Sequence, residues 1–291
     1  MHVLDSKTGA DVITPIKPLG REKSIVWIDD DSFFYLGDKA GWTEVRRHDV
    51  GQKRFNDPIE VAASHLDAGV SIKGVAFEGE NDRYLIIDAW KRLDTFYVKD
   101  TKSNKVYRIH SKKQDDIVSK KDTFTVGTLA KFVHLDDKTG DIWFISGENT
   151  PKNEIIKSNL NNLKKREVVV PAPTEYDEIL EAVYHEVDEG YFLVKYRKDG
   201  IHRVIITNAQ GAFIKDITPL EAGNASDFYS HIIGKKDDDK VDDSAKKLAG
   251  ETDENYVSFR MQNTITPRMV YKYSIKTVSY THLRAHETRH D

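Results

Sequence analysis

Five short apolar runs recur along this chain, each one directly after a pair of turn-forming residues. The runs begin at Phe33, Tyr84, Ile142, Tyr191 and Tyr256, so consecutive starts lie 51, 58, 49 and 65 residues apart. This spacing is close to the roughly 40 to 50 residues of one propeller blade. One repeat cannot bury its own sheet face, so neighbouring repeats must stack to form a core. The spacing therefore predicts an all-β propeller of antiparallel blades.

Each repeat is predicted to hold four strands, of which the apolar run is the second. The first strands carry small residues where blades would crowd the propeller axis, namely Gly74, Ala130 and Ala182. The third strands alternate apolar and polar residues with a period of two, which is typical of half-exposed strands. Outer fourth strands are predicted at 59–62, 105–109, 167–170 and 212–215. We expect the fifth repeat to stop before its fourth strand.

The two ends of the chain bear on whether the propeller is whole. Residues 2–9 resemble a third strand with its turn, and residues 11–16 resemble an outer strand. The prediction is then half a blade, four whole blades and one blade without its outer strand. Because ring closure protects sheet edges from mispairing, we expect a fragment of a larger propeller. The alternative is a natural propeller whose two ends complete one shared blade.

Composition narrows the partners that the chain can have. The 291 residues carry a formal net charge of −4, and the lysines and arginines are scattered. No basic patch for nucleic acid is therefore visible, and no apolar stretch approaches the roughly 20 residues that span a bilayer. The absence of cysteine excludes disulfides and thiolate chemistry. We expect neither a nucleic-acid nor a membrane partner, and the compartment stays open between cytoplasm and periplasm.

The sequence offers no evident catalytic centre. A serine hydrolase needs a nucleophile, a histidine base and an orienting carboxylate, and the Gly-x-Ser-x-Gly elbow is absent. We interpret the internal histidines as strand or turn residues: His48, His65, His110, His134, His185, His202 and His231. The acidic clusters 29–31, 115–116 and 136–137 are interpreted as turn residues. The prediction is therefore no catalytic residue and no cofactor.

The C-terminal segment contains the most conspicuous histidine pattern. His282, His286 and His290 recur every four residues beside Glu287, which on a helix could ligate zinc. The segment has no apolar partner face, however, and residues 279–291 resemble the translated read-through of a sequencing adapter. We therefore expect no metal ligands here. The predicted domains are a partial propeller over 1–277 and a non-native or disordered tail over 278–291.

Three segments resemble the prolyl oligopeptidase family of S9 serine peptidases. Residues 24–35 resemble its W-x-x-D-…-F-F-Y blade opening, and residues 42–51 are similar to its V-x-x-H-x-L-G strand and turn. The most specific match is residues 258–273, which resemble the S-F-x-T-P-x-x-x-Y-x-Y-D passage preceding the catalytic domain. Ser274 stands where that passage usually has Asp.

The resemblance implies a seven-bladed propeller that caps an α/β-hydrolase domain holding a Ser-Asp-His triad. The cap would admit short peptides and exclude folded proteins, and this chain would supply about five to five and a half blades of it. Phe34 matches a substrate-cavity aromatic of the family, with ordinary blade core as its alternative role. Specificity for proline or for basic residues stays open. A rival interpretation is a self-contained propeller that binds a protein or small molecule on its axial face.

Overall fold

The chain folds into antiparallel sheets throughout the part that can be described. The computed structural model describes residues 25–27, 31–37, 44–52, 57–61, 71–78, 83–90, 95–110, 129–185, 190–219, 223–231, 256–262, 269–274 and 279–283. These residues form twenty strands and five four-stranded sheets, with neighbouring strands in sequence order. Within them, no helix is long and apolar enough to cross a membrane.

The strand bounds follow one pattern in every sheet. The first sheet contains β1 (Ile25–Trp27), β2 (Ser32–Gly37), β3 (Glu44–Asp49) and β4 (Ile59–Val61). The second contains β5 (Ser71–Glu78), β6 (Tyr84–Trp90), β7 (Thr95–Asp100) and β8 (Lys105–His110). The third contains β9 (Ala130–Leu135), β10 (Asp141–Ser146), β11 (Glu154–Asn159) and β12 (Asn162–Val170). The fourth contains β13 (Glu178–His185), β14 (Tyr191–Lys198), β15 (Ile201–Asn208) and β16 (Phe213–Asp216). The fifth contains β17 (Asn224–His231), β18 (Tyr256–Gln262), β19 (Met269–Ser274) and β20 (Ser279–Leu283).

The predicted four-stranded repeats are confirmed. The five apolar runs are the second strands β2, β6, β10, β14 and β18. Boundaries differ in places: β12 begins at Asn162, before the predicted 167, because its polar first half gives no apolar signal. The half-blade predicted within residues 2–16 lies outside the described residues.

The fifth repeat corrects one prediction. It does have a fourth strand, β20, which pairs with β19 from Ser274↔Ser279 to Val270↔Leu283. That strand falls inside residues 278–291, which were predicted to be a non-native or disordered tail. Antiparallel pairing uses backbone N–H and C=O groups, which every segment without proline offers, so β20 forms without an apolar run. That residues 278–291 are non-native stays a prediction.

The first of two compact units, Met1–Val168, has its apolar core between the second and third sheets. Phe96 lies edge-on to Phe132 and Phe144, with ring centroids 6.0 and 6.1 Å apart. Such pairs add to the free energy of area burial. The buried members of this apolar cluster are Tyr84, Ile86, Phe96, Val98, Ile109, Ala130, Leu135, Ile142, Phe144, Ile156 and Leu160.

Two buried cations also connect neighbouring sheets of this unit. The Lys99 ammonium on β7 donates to the carbonyl and to the carboxylate of Glu60 on β4, both at 2.7 Å. The Arg166 guanidinium on β12 donates to the His110 carbonyl on β8 and to the Glu148 carboxylate, both at 2.9 Å. A buried charge is tolerated when it is paired and hydrogen-bonded, as both of these are.

The second compact unit, Val169–Asp291, packs the fourth sheet against the fifth. Phe259 on β18 stacks on Tyr271 of β19, with centroids 5.7 Å apart. Apolar side chains of both sheets complete the core: Tyr191, Leu193, Val204, Ile206, Ile217, Ala225, Phe259, Met261, Tyr271 and Tyr273.

Candidate functional site

A buried polar network lies on one face of the first sheet. Phe33 and Tyr35 alternate along β2, and His48 on β3 is the Cα partner of Phe33, so the three side chains share a face. Asp57, just before β4, accepts hydrogen bonds from His48 Nδ1 at 2.9 and 3.0 Å and from Tyr35 Oη at 2.8 Å. With the Asp57 carboxylate as the acceptor, His48 Nδ1 is the donor of this contact.

Backbone contacts hold this network in place. Arg46 Nη1 donates to the Asp57 carbonyl at 3.0 Å, and the Arg47 N–H donates to the Pro58 carbonyl at 3.1 Å. The network therefore fixes where the chain returns from β3 to β4. We call Tyr35, His48 and Asp57 the β2–β4 network.

The β2–β4 network has the histidine and carboxylate of a serine triad, but no described residue joins them as a nucleophile. Ser32 comes one residue before Phe33, so it lies on the opposite face and has Asp49 as its Cα partner. Within the described residues, Ser32 Oγ and His48 Nε2 each lack a hydrogen-bond partner. A hydroxyl held away from the imidazole cannot transfer its proton to it. The arrangement orients an imidazole without activating a serine.

Phe34, the predicted substrate-contacting residue, is on the other face of the first sheet. Its Cα partners are Val26 on β1 and Arg47 on β3. The side chain is 4% exposed, whereas the Arg47 side chain is 41% exposed and bonds Asp49 at 2.9 Å. Phe34 is therefore buried on the sheet face opposite the β2–β4 network. Its role in a substrate cavity stays a prediction.

The other histidines lie on strands, as predicted, in the described part of the chain. His110, His134, His185 and His231 lie on β8, β9, β13 and β17, and His65 is outside the described residues. His134 packs on Trp143 with ring centroids 5.3 Å apart, and His185 stacks on Tyr191 at 4.8 Å.

His202 on β15 contacts the backbone of Ala225. Its Nδ1 lies 2.9 Å from the Ala225 nitrogen and 3.1 Å from the Ala225 carbonyl oxygen, so it accepts a hydrogen bond in one tautomer and donates one in the other. Burial lowers the pKa of His202, although the contact with the Ala225 carbonyl acts in the opposite direction. The contact links the fourth sheet to the fifth.

The acidic turn at 136–137 acts as predicted. The Asp136 carboxylate accepts the Lys138 N–H at 2.8 Å and the Thr139 hydroxyl at 2.7 Å, which closes the β9–β10 turn. Burial alone would raise the pKa of Asp136, but these hydrogen bonds outweigh it and lower the pKa. Asp31 lies in a bend, and residues 29–30 and 115–116 are outside the described residues.

Asp100, at the end of β7, is a carboxylate that sequence reasoning did not single out. Arg83 donates to both of its oxygens, at 3.3 and 3.0 Å, and the Lys102 N–H donates at 2.9 Å. Burial alone would raise the pKa of Asp100, yet the hydrogen bonds from Arg83, Ser103 and Lys102 lower it to about 2. Such a group stays ionised and serves as a structural anchor.

The described residues contain no group of three or more histidines and acids that could hold a metal ion. His282 lies in strand β20, so it is not on the helix that would bring His286 and Glu287 to one face. Those two residues and His290 lie outside the described part. The histidine spacing therefore gains no structural support as a zinc site.

Sequence reasoning missed the pairing of His48 with Asp57. The two residues lie nine positions apart in the sequence with a turn between them, and neither is part of a hydrolase motif. The only available signal was the polar Asp57 directly before Pro58, at the start of a predicted outer strand.

Comparison with known families gives these features a context. The model of the family described as "Prolyl oligopeptidase, N-terminal beta-propeller domain" matches residues 1–286. A prolyl endopeptidase of Elizabethkingia meningoseptica is 24% identical over 265 residues, which are 87% of this chain and 32% of that protein. The prolyl endopeptidase of Elizabethkingia miricola is 22% identical over 289 residues, which are 94% of this chain and 35% of that protein. The chain thus spans about a third of the length of these relatives.

Solved structures show the same fold. Prolyl oligopeptidase B from Galerina marginata, bound to a 35mer hydrolysis and macrocyclization substrate, aligns with a TM-score of 0.67 at 14% identity. The alignment covers 96% of this chain and 36% of that one. The five repeated sheets, the family match over nearly the whole chain and this likeness lead to one conclusion. The chain belongs to the prolyl oligopeptidase family, and its residues match the N-terminal β-propeller domain of that family.

Proposed function

We propose that this chain is the substrate-gating propeller portion of a prolyl oligopeptidase-like serine peptidase that acts on short peptides. The observation that carries the proposal is the family match over residues 1–286. The two prolyl endopeptidases it resembles are about three times as long as their matching segments. The remaining two thirds of such a protein would have to supply the catalytic groups.

The chemistry of the described residues supports a catalytic centre that lies outside this propeller portion. Peptide hydrolysis by a serine enzyme requires an activated hydroxyl, a base and an orienting carboxylate. Here the His48–Asp57 pair is buried, and Ser32 lies on the opposite sheet face. The propeller's contribution would be steric, because closely packed sheets leave passage only to narrow, extended chains.

Within that role, Phe34 would contact the apolar part of a peptide. Its neighbour Phe33 is on the same strand but on the opposite face, packed on His48 with centroids 5.2 Å apart. In the whole enzyme, we expect Phe34→Leu to raise KM for short peptides with kcat nearly unchanged. Phe33→Leu is the matched control, and its effect should be on stability instead. An equal KM change in both variants would remove Phe34 from the substrate site.

The proposal is tested by reading the source genomic DNA downstream of the codon for Thr277. An open reading frame that continues into a Gly-x-Ser-x-Gly elbow, followed by an acid and a histidine, would support it. An authentic stop codon at that point would favour a self-contained binding propeller instead.

A further inference from the structure

The fourth and fifth sheets share a polar contact beside the apolar core of the second unit. His202 near the start of β15 and Ala225 near the start of β17 form it, and the His202 N–H also donates to the Gly223 carbonyl at 3.1 Å. The Ala225 N–H is directed at His202 Nδ1 from 2.9 Å, and the Ala225 carbonyl oxygen is 3.1 Å from the same nitrogen. One ring nitrogen of the fourth sheet therefore faces both a donor and an acceptor of the fifth.

The protonation state of the ring decides which of these two backbone groups it can bind. A neutral imidazole with its proton on Nε2 has a lone pair at Nδ1, whereas imidazolium has an N–H at both nitrogens. The neutral ring can therefore accept the Ala225 N–H, and the charged ring can only donate to the Ala225 carbonyl. Ala225 is 3% exposed and belongs to the apolar cluster of the second unit. An N–H that loses its acceptor at such a buried position is costly.

Two cations on β14 act against protonation of the ring. Lys195 is 8% exposed, and its ammonium is 3.4 Å from the Ala225 carbonyl oxygen, the acceptor that a charged His202 would need. Arg197 is the Cα partner of His202 on the neighbouring strand. A proton on His202 would therefore add a third positive charge to this part of the contact.

Two carboxylates on β13 offset these cations only in part. The Glu181 carboxylate is 2.5 Å from Lys195 Nζ, and the Glu178 carboxylate is 2.8 Å from Arg197 Nη2, so each is already paired. Burial is the largest cause that lowers the pKa of His202, and the charges of Lys195 and Arg197 lower it further. The contact with the Ala225 carbonyl and the charge of Glu181 raise the pKa without reversing the direction.

We propose that His202 is a proton-operated switch in the contact between the fourth and fifth sheets. The neutral ring accepts the Ala225 N–H, and protonation breaks this hydrogen bond and loosens the start of β17. The folded-state pKa lies below the value of about 6.5 for an unfolded histidine, so the folded chain binds fewer protons. The stabilisation is therefore present above about pH 6.5 and is lost as the pH falls through the folded-state pKa.

The first test observes the ring itself in the unaltered chain. NMR of the chain labelled with ¹⁵N-histidine gives the tautomer and the titration midpoint of each ring, and the signal missing from His202→Asn identifies His202. We expect the Nε2–H tautomer at neutral pH and a midpoint below that of an unfolded histidine. An Nδ1–H tautomer at neutral pH would mean that the ring donates to the Ala225 carbonyl and has no acceptor role to lose. That result, or a midpoint at or above the unfolded value, would overturn the proposal.

The second test measures the hydrogen bond that the switch controls. Between about pH 7.5 and about pH 4.5, the hydrogen-exchange protection factor of the Ala225 amide should fall about fivefold relative to the amides of β14. His202→Asn keeps a side-chain oxygen that accepts at every pH, so its Ala225 protection should not depend on pH.

The matched control is His134→Asn, at a histidine that packs on Trp143 in the first unit. This variant should keep the full fall in Ala225 protection. Protection of Ala225 that does not change with pH in the original chain would contradict the switch, and so would an equal fall in His202→Asn.

Discussion

The first unit contains two regions that are held together by different means. Between the second and third sheets lies the apolar cluster centred on Phe96 and Phe144, whereas the first sheet has the buried β2–β4 network. Apolar contacts are non-directional, so their free energy follows buried area. A polar network fixes geometry, and its loss leaves buried groups without partners. Within this one unit, buried apolar area supplies stability, whereas the hydrogen bonds of the β2–β4 network fix where the strands lie.

The largest effect should come from emptying the apolar cluster. Phe144 is fully buried and faces both Phe96 and the Arg166 guanidinium, whose carbon is 5.4 Å from the ring. Phe144→Ala should lower the free energy of unfolding by about 3 to 5 kcal/mol, measured by urea denaturation. Phe213→Ala, at a phenylalanine that is 65% exposed, is the matched control and should change it by under about 0.5 kcal/mol. Equal losses of unfolding free energy in the two variants would show that the burial of Phe144 does not determine its contribution to stability.

The next effect should come from removing the acceptor of the β2–β4 network. Asp57→Ala leaves the Tyr35 hydroxyl and His48 Nδ1–H buried without their acceptor, so we expect a loss of about 2 to 4 kcal/mol. Tyr35→Phe removes one donor and leaves His48 paired, so its loss should be nearer ~1 kcal/mol. Asp49→Ala removes a surface ion pair with Arg47 and should cost under about 1 kcal/mol. If Asp57→Ala lowered the free energy of unfolding no more than Asp49→Ala does, the β2–β4 network would not contribute to stability.

The smallest of the three effects is a pH dependence at the edge of the second sheet. Asp100 has a folded-state pKa of about 2, below the value of about 3.9 for an unfolded aspartate. The folded state therefore binds fewer protons, and the stabilisation is present above pH ~4 and lost as the pH falls towards 2. We expect this loss to be about 1 to 2 kcal/mol, because Arg83 is partly solvated. Asp100→Asn should remove that part of the acid dependence, and an unchanged acid profile would contradict the assignment.

The sequence predicted those parts of the fold that depend on apolar periodicity. The runs at Tyr84 and Ile142 are strands whose side chains fill the core. A core strand requires apolar residues, and such a run can be recognised in the sequence alone. β20 and the polar first half of β12 were missed because neither contains an apolar run that would mark a strand in the sequence. The His48–Asp57 contact could not be predicted, since it depends on how a turn brings two polar residues together. Phe34 was placed correctly on a strand, but a strand position does not say what its ring contacts.

The central proposal is that these residues form the propeller portion of a peptidase and do not hydrolyse peptides alone. The most direct measurement is hydrolysis of proline-containing chromogenic peptides by the purified chain, with and without a serine-directed inhibitor. Because the described residues bring no serine to the His48–Asp57 pair, we predict no turnover above the buffer rate. Measurable hydrolysis that the inhibitor abolishes would contradict the account.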